Sequence, residues 1–152
     1  MSTETTIEHT RLLVPVNRQS DHIRGDGPPG TSEIVVYGDY LCPYCRRLRT
    51  VTQRLLEIYA GRLIYVFRHF PNEAVHPGAT FAARASEAAG AQRRFWEMHD
   101  QLYEHEPPLS EAQIHGFAGT RLGREVGTHV VHHRVLHRHL QTAALAGFVT
   151  FP

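Results

Sequence analysis

Two cysteines, Cys42 and Cys45, are the residues whose type and spacing most directly indicate chemistry in this 152-residue chain. They are separated by Pro43 and Tyr44 in the stretch YGDYLCPYC. Two thiols at this spacing fit three interpretations: a redox-active dithiol, half of a zinc site, or two unrelated residues. The surrounding sequence has to decide between them.

The position of the pair, between a strand and a helix, favours the redox dithiol. The β-branched and aromatic run over residues 34–37 predicts a buried strand, which Gly38 and Asp39 end. An amphipathic helix follows, because apolar residues then recur every three or four positions, at Leu48, Val51, Leu55, Ile58 and Tyr59. Cys42 is therefore expected at the helix N-terminus, where free N–H groups and the helix dipole stabilise a thiolate.

The same placement predicts different tasks for the two thiols. Pro43 suits the first helical position, where its missing N–H costs nothing. Cys45 then lies inside the first turn, more buried than Cys42. We predict that Cys42 attacks a substrate disulfide and that Cys45 resolves the mixed disulfide, with no cofactor beyond the redox-active Cys42–Cys45 disulfide.

Three charged neighbours have weaker functional interpretations. Arg46 and Arg47 follow the pair directly and could add to the positive field at Cys42, or they could be solvated charges on the helix surface. Asp39 could handle a proton, although a turn or cap role is the more ordinary one for an aspartate before a helix.

The remaining sequence predicts an α/β domain. Residues 63–67 form a second buried-strand pattern, so that strand, helix and strand make a right-handed βαβ unit. Residues 12–16 and 22–24 are candidate edge strands. Helices are predicted over 77–89, 92–105, 110–122 (opened by a capping box at Ser110) and about 128–146. Phe95, Trp96 and Met98 are interpreted as core rather than as a substrate groove.

Composition limits the classes of function. The chain is 41% hydrophobic and 20% charged with a net charge of +1, so we expect one domain over residues 1–152, with 1–10 as a loose arm, and no nucleic-acid partner. Residues 12–16 are too short a run for a signal peptide, and no run approaches the about 20 apolar residues that span a bilayer. We therefore expect a cytoplasmic protein without membrane insertion. In such a reducing compartment a CxxC pair is more often catalytic or metal-binding than structural.

A cluster of histidines keeps the zinc interpretation open. The chain has 12 histidines, and five lie close together: His129, His132, His133, His137 and His139. His133 and His137 are one helical turn apart and could complete a zinc site with Cys42 and Cys45. The long gap between the two pairs is unlike that of compact zinc modules.

Three stretches, YGDYLCPYCRRL, YVFRHFPNEAVHP and AARASEAAGAQRRFWEMHDQLYEH, resemble the DsbA-like thioredoxin-fold oxidoreductases. The sequence is most similar to their cytoplasmic branch, whose relatives also occur fused to sodium/proton antiporters. The resemblance implies a thioredoxin-like fold with a helical insertion over about residues 77–146. It also implies that Cys42 and Cys45 are the redox pair, and that the partners are protein or small-molecule thiols and disulfides.

The C-terminal stretch departs from this family. Relatives have a cis-proline that faces the CxxC pair, and residues 147–152 align with that stretch only at Gly147 and Pro152. Pro152 is thus expected to support substrate binding together with Pro43 and Tyr44. The final strands and helix of the family fold do not follow, which suggests a truncated reading, a homodimer formed by strand exchange, or a partner chain. Reduced activity is expected, and a redox-sensing or interaction domain without turnover is the alternative function.

Overall fold

The computed structural model describes Leu12, residues 14–121 and His139. These residues form three strands and four helices, which confirms the predicted α/β class. Their order is β1 (His22–Arg24), β2 (Ser32–Gly38), α1 (Pro43–Ile58), β3 (Leu63–His69), α2 (Ala79–Ala91), α3 (Phe95–Glu104) and α4 (Glu111–Arg121).

The sheet has the strand order β1-β3-β2, with β3 in the centre. β2 runs parallel to β3, with Gly38 opposite His69, and β1 runs antiparallel to β3. The predicted βαβ unit and the predicted edge strand over 22–24 are therefore confirmed. β3 is buried along its whole length, as expected of a central strand with a continuous apolar run.

The predicted edge strand over residues 12–16 is wrong, since Leu12 and Val14 to Val16 have no strand geometry. The cause is the buried guanidinium of Arg68 on β3. Arg68 donates to the carbonyl of Val14 at 3.0 Å and to that of Pro15 at 3.1 Å. These carbonyls are thus directed at a side chain, and Pro15 has no N–H for a strand ladder.

The core lies between β3 and the helices α2 and α3. Phe67, Met98 and Leu102 are 0% exposed, and Phe95 is buried beside them. The interpretation of Phe95 and Met98 as core is therefore confirmed. Trp96 is partly buried against the same cluster.

The three helices after β3 begin close to their predicted positions. α2 begins at Ala79 because Gly78, its N-cap, has a left-handed φ of 93°. The predicted capping box opens α4: the Ser110 hydroxyl accepts from the amide of Gln113 at 3.2 Å, and the Gln113 side-chain oxygen accepts from the amide of Ser110 at 2.9 Å. All three lie within the predicted insertion over 77–146.

α1 is the predicted helix, yet its apolar stripe is largely exposed. Leu48, Val51 and Ile58 are 41%, 54% and 56% exposed, whereas Thr52 is the buried residue of the helix. Among the described residues, no helix is long and apolar enough to cross a bilayer. The predicted arm over 1–10 and the stretch 147–152 lie outside the described residues, as does the predicted helix over 128–146 apart from the helical and buried His139.

Candidate functional site

Cys42 is the N-cap of α1, at the point where the chain leaves β2. Its backbone is extended, with φ −74° and ψ 122°, and Pro43 occupies the start of the helix. The Cys42 carbonyl accepts the amide of Arg46 at 3.1 Å, which closes the first turn. The sulfur thus lies at the helix end where unpaired N–H groups and the positive dipole end favour an anion. Cys42 is only partly buried, so a substrate can reach it.

Cys45 lies one turn further along and packs against the hydrophobic core. Both cysteines are free thiols in this structure. Burial raises the pKa of the Cys45 thiol to about 12, and the nearby Cys42 acts in the same direction. Cys45 is therefore a protonated thiol over the physiological pH range.

Asp39 organises the turn in front of the cysteines. Its carboxylate accepts the amide of Leu41 at 2.8 Å, the amide of Asn72 at 2.9 Å and Nδ1–H of His76 at 2.8 Å. Its own carbonyl accepts the amide of Cys42 at 3.3 Å. Asp39 is only 5% exposed, so both of its oxygens are used to join the cysteine turn to the 72–76 loop. These contacts are those of a residue that stabilises a turn, the more ordinary of the two roles considered for Asp39.

α3 supports the same turn from the other side. The Tyr103 hydroxyl donates to the Asp39 carbonyl at 3.4 Å, and the buried Tyr40 hydroxyl lies 3.2 Å from Nδ1 of His99. Arg46 donates to the Leu102 carbonyl at 3.4 Å. The cysteine turn is consequently anchored to a helix of the core as well as to a loop.

The arginines after the cysteines have partners other than Cys42. Besides its bond to α3, Arg46 lies 3.5 Å from Glu106. The guanidinium of Arg47 lies 5.9 Å from the centre of the Tyr44 ring. Their charges are thus engaged with α3, Glu106 and an aromatic ring.

Of the other predicted site residues, some are exposed beside Cys42 and the rest lie outside the described part of the chain. Pro43 is exposed, and Tyr44 is 75% exposed directly beside Cys42. Pro152, and the histidines of the zinc interpretation, His133 and His137, lie outside the described residues.

A second polar cluster was not anticipated from the sequence. The partly buried His22 and the buried His69 and Glu87 come together, with both imidazoles 2.7 Å from one carboxylate oxygen. A signal was present, since His69 lies two residues after the predicted strand 63–67 and Glu87 interrupts an alanine-rich helix. Buried polar groups of this kind need partners, which is why they converge.

Comparison with known proteins agrees with this architecture. The family described as Thioredoxin matches residues 19–129, more than half of the chain. A Na(+)/H(+) antiporter NhaA 1 from Mycolicibacterium gilvum is 42% identical over 108 residues, which cover 71% of this chain and 17% of that protein. The chain thus spans less than a fifth of the length of this relative.

Two solved structures share the fold at low sequence identity. The catalytic domain of Proteus mirabilis ScsC has a TM-score of 0.68 and 18% identity, over 90% of this chain and 76% of that one. The thiol-disulfide exchange protein alpha-DsbA2 from Wolbachia pipientis has a TM-score of 0.63 and 16% identity, over 84% of this chain and 72% of that one. With β2, α1 and β3 arranged around a CxxC pair, the chain belongs to the thioredoxin family and has the DsbA-like form of its fold.

Proposed function

We propose that this chain is a thiol–disulfide oxidoreductase that works through Cys42 and Cys45. The contrast between two thiols on one helical turn carries the proposal. Cys42 is accessible at the helix N-terminus, and Cys45 is packed against the core with a pKa raised to about 12 by burial. An exchange catalyst needs such a pair, because one thiolate must attack while the second thiol waits.

The reaction has two exchange steps. The Cys42 thiolate attacks one sulfur of a substrate disulfide, so that a Cys42–substrate bond forms, the substrate disulfide breaks, and the leaving thiolate takes up a proton. Cys45 then loses its proton and attacks the Cys42 sulfur. The Cys42–Cys45 disulfide forms, the second substrate sulfur leaves as a thiol, and two electrons have passed to the substrate.

The surface beside Cys42 suits a protein or small-molecule disulfide as the substrate. Pro43 and the strongly exposed Tyr44 flank the attacking sulfur, and Leu48 is exposed one turn further along. We propose that Pro43 and Tyr44 contact the substrate. Pro152 is proposed as the further contact that the family resemblance suggests.

Turnover of insulin disulfides with dithiothreitol as reductant tests the proposal. The wild-type chain is expected to accelerate reduction, and Cys42→Ser to fall to the uncatalysed rate. Cys45→Ser should accumulate a mixed disulfide between Cys42 and the insulin chain, visible by mass spectrometry under non-reducing conditions. A wild-type rate equal to that of Cys42→Ser would contradict the proposal.

A redox-sensing domain is the second candidate, and the antiporter relative favours it. The matching region there is a small part of a transport protein, which is a setting for regulation rather than for turnover. A sensor would be oxidised stoichiometrically at Cys42 and Cys45 by glutathione disulfide without repeated cycles. Steady-state exchange over many equivalents of glutathione disulfide identifies the enzyme instead.

A further inference from the structure

A buried carboxylate meets two imidazoles in a cluster that includes neither cysteine. Glu87 on α2 has a side chain only 5% exposed. Nε2 of His22, on β1, and Nε2 of His69, the last residue of β3, each lie 2.7 Å from the same Glu87 oxygen, Oε1. The ligand-type atoms of the three residues all lie within 4.8 Å of one another.

Packing fixes the orientation of both rings. The His22 ring stacks on Phe95, with centroids 3.4 Å apart and planes 4° from parallel. The His69 ring is fully buried and meets the Phe67 ring edge-on, at 5.2 Å and 89°. The three side chains therefore converge from three elements of regular structure, and little ordering is required for them to hold a ligand.

Among the described residues, Glu87 forms ion-pair contacts with His22 and His69 and with no arginine. The guanidinium of Arg68, the residue before His69 on β3, is held by Asp21 through two hydrogen bonds of 3.0 and 2.9 Å. Within the described part of the chain, the hydrogen-bond partners of Glu87 are His22 and His69. A buried carboxylate is costly unless it is paired or coordinates a metal, and imidazoles are metal ligands.

We propose that His22, His69 and Glu87 bind one divalent metal ion, with Zn²⁺ as the ion that fits the ligand set best. Two imidazole nitrogens and one carboxylate oxygen are established zinc ligands, and a water can complete the tetrahedron. Zinc bonds of about 2.0–2.1 Å place tetrahedral ligands about 3.3 Å apart, so each 2.7 Å contact has to lengthen by about 0.6 Å.

The surroundings of His69 set the strength of the site. On metal binding each Nε2 supplies its lone pair, and the ring proton moves to Nδ1. Nδ1 of His69 is buried and has no hydrogen-bond partner among the described residues. Ligating histidines usually have such a partner, and losing it typically costs about 10- to 100-fold in affinity, so we expect binding weaker by that factor than in a fully supported site.

Zinc binding by the full chain tests the proposal in a Cys42→Ser, Cys45→Ser background, which removes thiolate ligands. Two further changes remove the proposed ligands: Glu87→Gln keeps the shape of the side chain, and His22→Phe keeps a ring to stack on Phe95. The matched control is His115→Asn, because His115 is an exposed histidine on α4. Equilibrium dialysis gives the bound zinc, and circular dichroism follows the thermal unfolding midpoint.

The background protein and the His115→Asn control are expected to bind one equivalent of zinc more than the His22→Phe and Glu87→Gln variants. Zinc should also raise the unfolding midpoint more in the first two proteins than in the last two. If all four bind the same amount with the same shift, the metal is held elsewhere and the proposal is wrong. Should Glu87→Gln fail to fold, the comparison of His22→Phe with His115→Asn decides alone.

Discussion

Burial keeps the Cys45 thiol protonated and therefore unreactive at neutral pH. In the Cys42→Ser variant, where Cys45 is the remaining cysteine, we expect slow alkylation by iodoacetamide at neutral pH. Because burial raises the pKa of the Cys45 thiol, the rate should keep rising with pH beyond about 8.5, where the rate of an ordinary thiol levels off. The same variant in urea should react as an ordinary cysteine with a pKa of about 8.5. Equal rates for the folded and unfolded protein at pH 9 would contradict the burial of this thiol.

The raised pKa of Cys45 also links stability to pH. A thiol whose pKa is higher in the folded state stabilises the fold fully below the unfolded value of about 8.5, and this contribution is lost as the pH rises towards about 12. Reduced protein should therefore become easier to unfold with urea above about pH 9. A Cys45→Ala variant should show a smaller loss over the same range.

Asp39 is predicted to position the cysteine turn rather than to move protons. Asp39→Asn replaces one acceptor oxygen with an NH₂ group. This leaves either the Leu41 N–H unpaired, if Oδ1 is replaced, or both the Asn72 N–H and the His76 Nδ1–H, if Oδ2 is replaced. We expect a loss of about 1–3 kcal/mol in the free energy of unfolding, measured in urea, together with slower disulfide exchange. The pH profile of exchange should keep its shape, whereas a proton-transfer role for Asp39 would change it.

At the scale of elements, β2 packs closely against the core at Gly38, its last residue before the cysteine turn. A Cβ added at Gly38 would overlap the Phe67 ring and lie 2.9 Å from the Tyr103 hydroxyl. Gly38→Ala should therefore destabilise the protein by about 1–3 kcal/mol in urea unfolding, because a packed core cannot absorb the extra group.

Gly116 offers the matched control for that substitution. It lies in α4, and a Cβ added there meets no atom of the described residues within 4 Å. Gly116→Ala should be neutral or stabilising by up to about 1 kcal/mol, since alanine favours a helix. A similar loss for both variants would show that the crowding at Gly38 is not the cause.

The elements differ in how far the sequence predicts them. The position of Cys42 follows from local signals, a strand pattern that ends in Gly38 and a proline suited to a helix start. The Asp39–His76 contact does not, because 37 residues separate the partners and no periodic pattern links them. Likewise the spacing of Leu48, Val51 and Ile58 predicts α1 but not its packing, since the buried side of that helix contains Thr52.

At the scale of the whole molecule, Arg68 ties the first described segment to the centre of the sheet. Its guanidinium donates two hydrogen bonds to Asp21 and one to the Tyr37 hydroxyl at 2.9 Å. It also donates to the backbone carbonyls of Val14 and Pro15. Asp21→Asn would leave a buried guanidinium without its counter-charge. We expect a loss of about 3–5 kcal/mol in the free energy of unfolding, measured in urea at neutral pH.

The pH dependence of stability in acid provides the control for the Arg68–Asp21 ion pair. Burial alone would raise the pKa of Asp21, but hydrogen bonds from Arg68 and from the Asn17 amide outweigh it and lower that pKa. The pair therefore stabilises the fold fully above the unfolded value of about 3.9, and this contribution is lost as the pH falls through the lower folded value. The destabilisation by Asp21→Asn should shrink over that range, and a constant difference would contradict the assignment.

Two whole-molecule expectations depend on residues beyond those described, and they stay predictions. The cytoplasmic location and the homodimer by strand exchange rest on sequence patterns and on the family resemblance. Sedimentation of the full chain at several concentrations tests whether the homodimer forms. A concentration-independent monomer would contradict it.

The protonated state of Cys45 has a kinetic consequence. In the proposed mechanism, the substrate captured by Cys42 is released only after Cys45 has lost its proton inside the core. The covalent complex therefore has a dwell time that shortens as the pH rises. Such a protein holds its clients longest under acidic conditions, and rapid acid quenching should preserve the captured partners for identification.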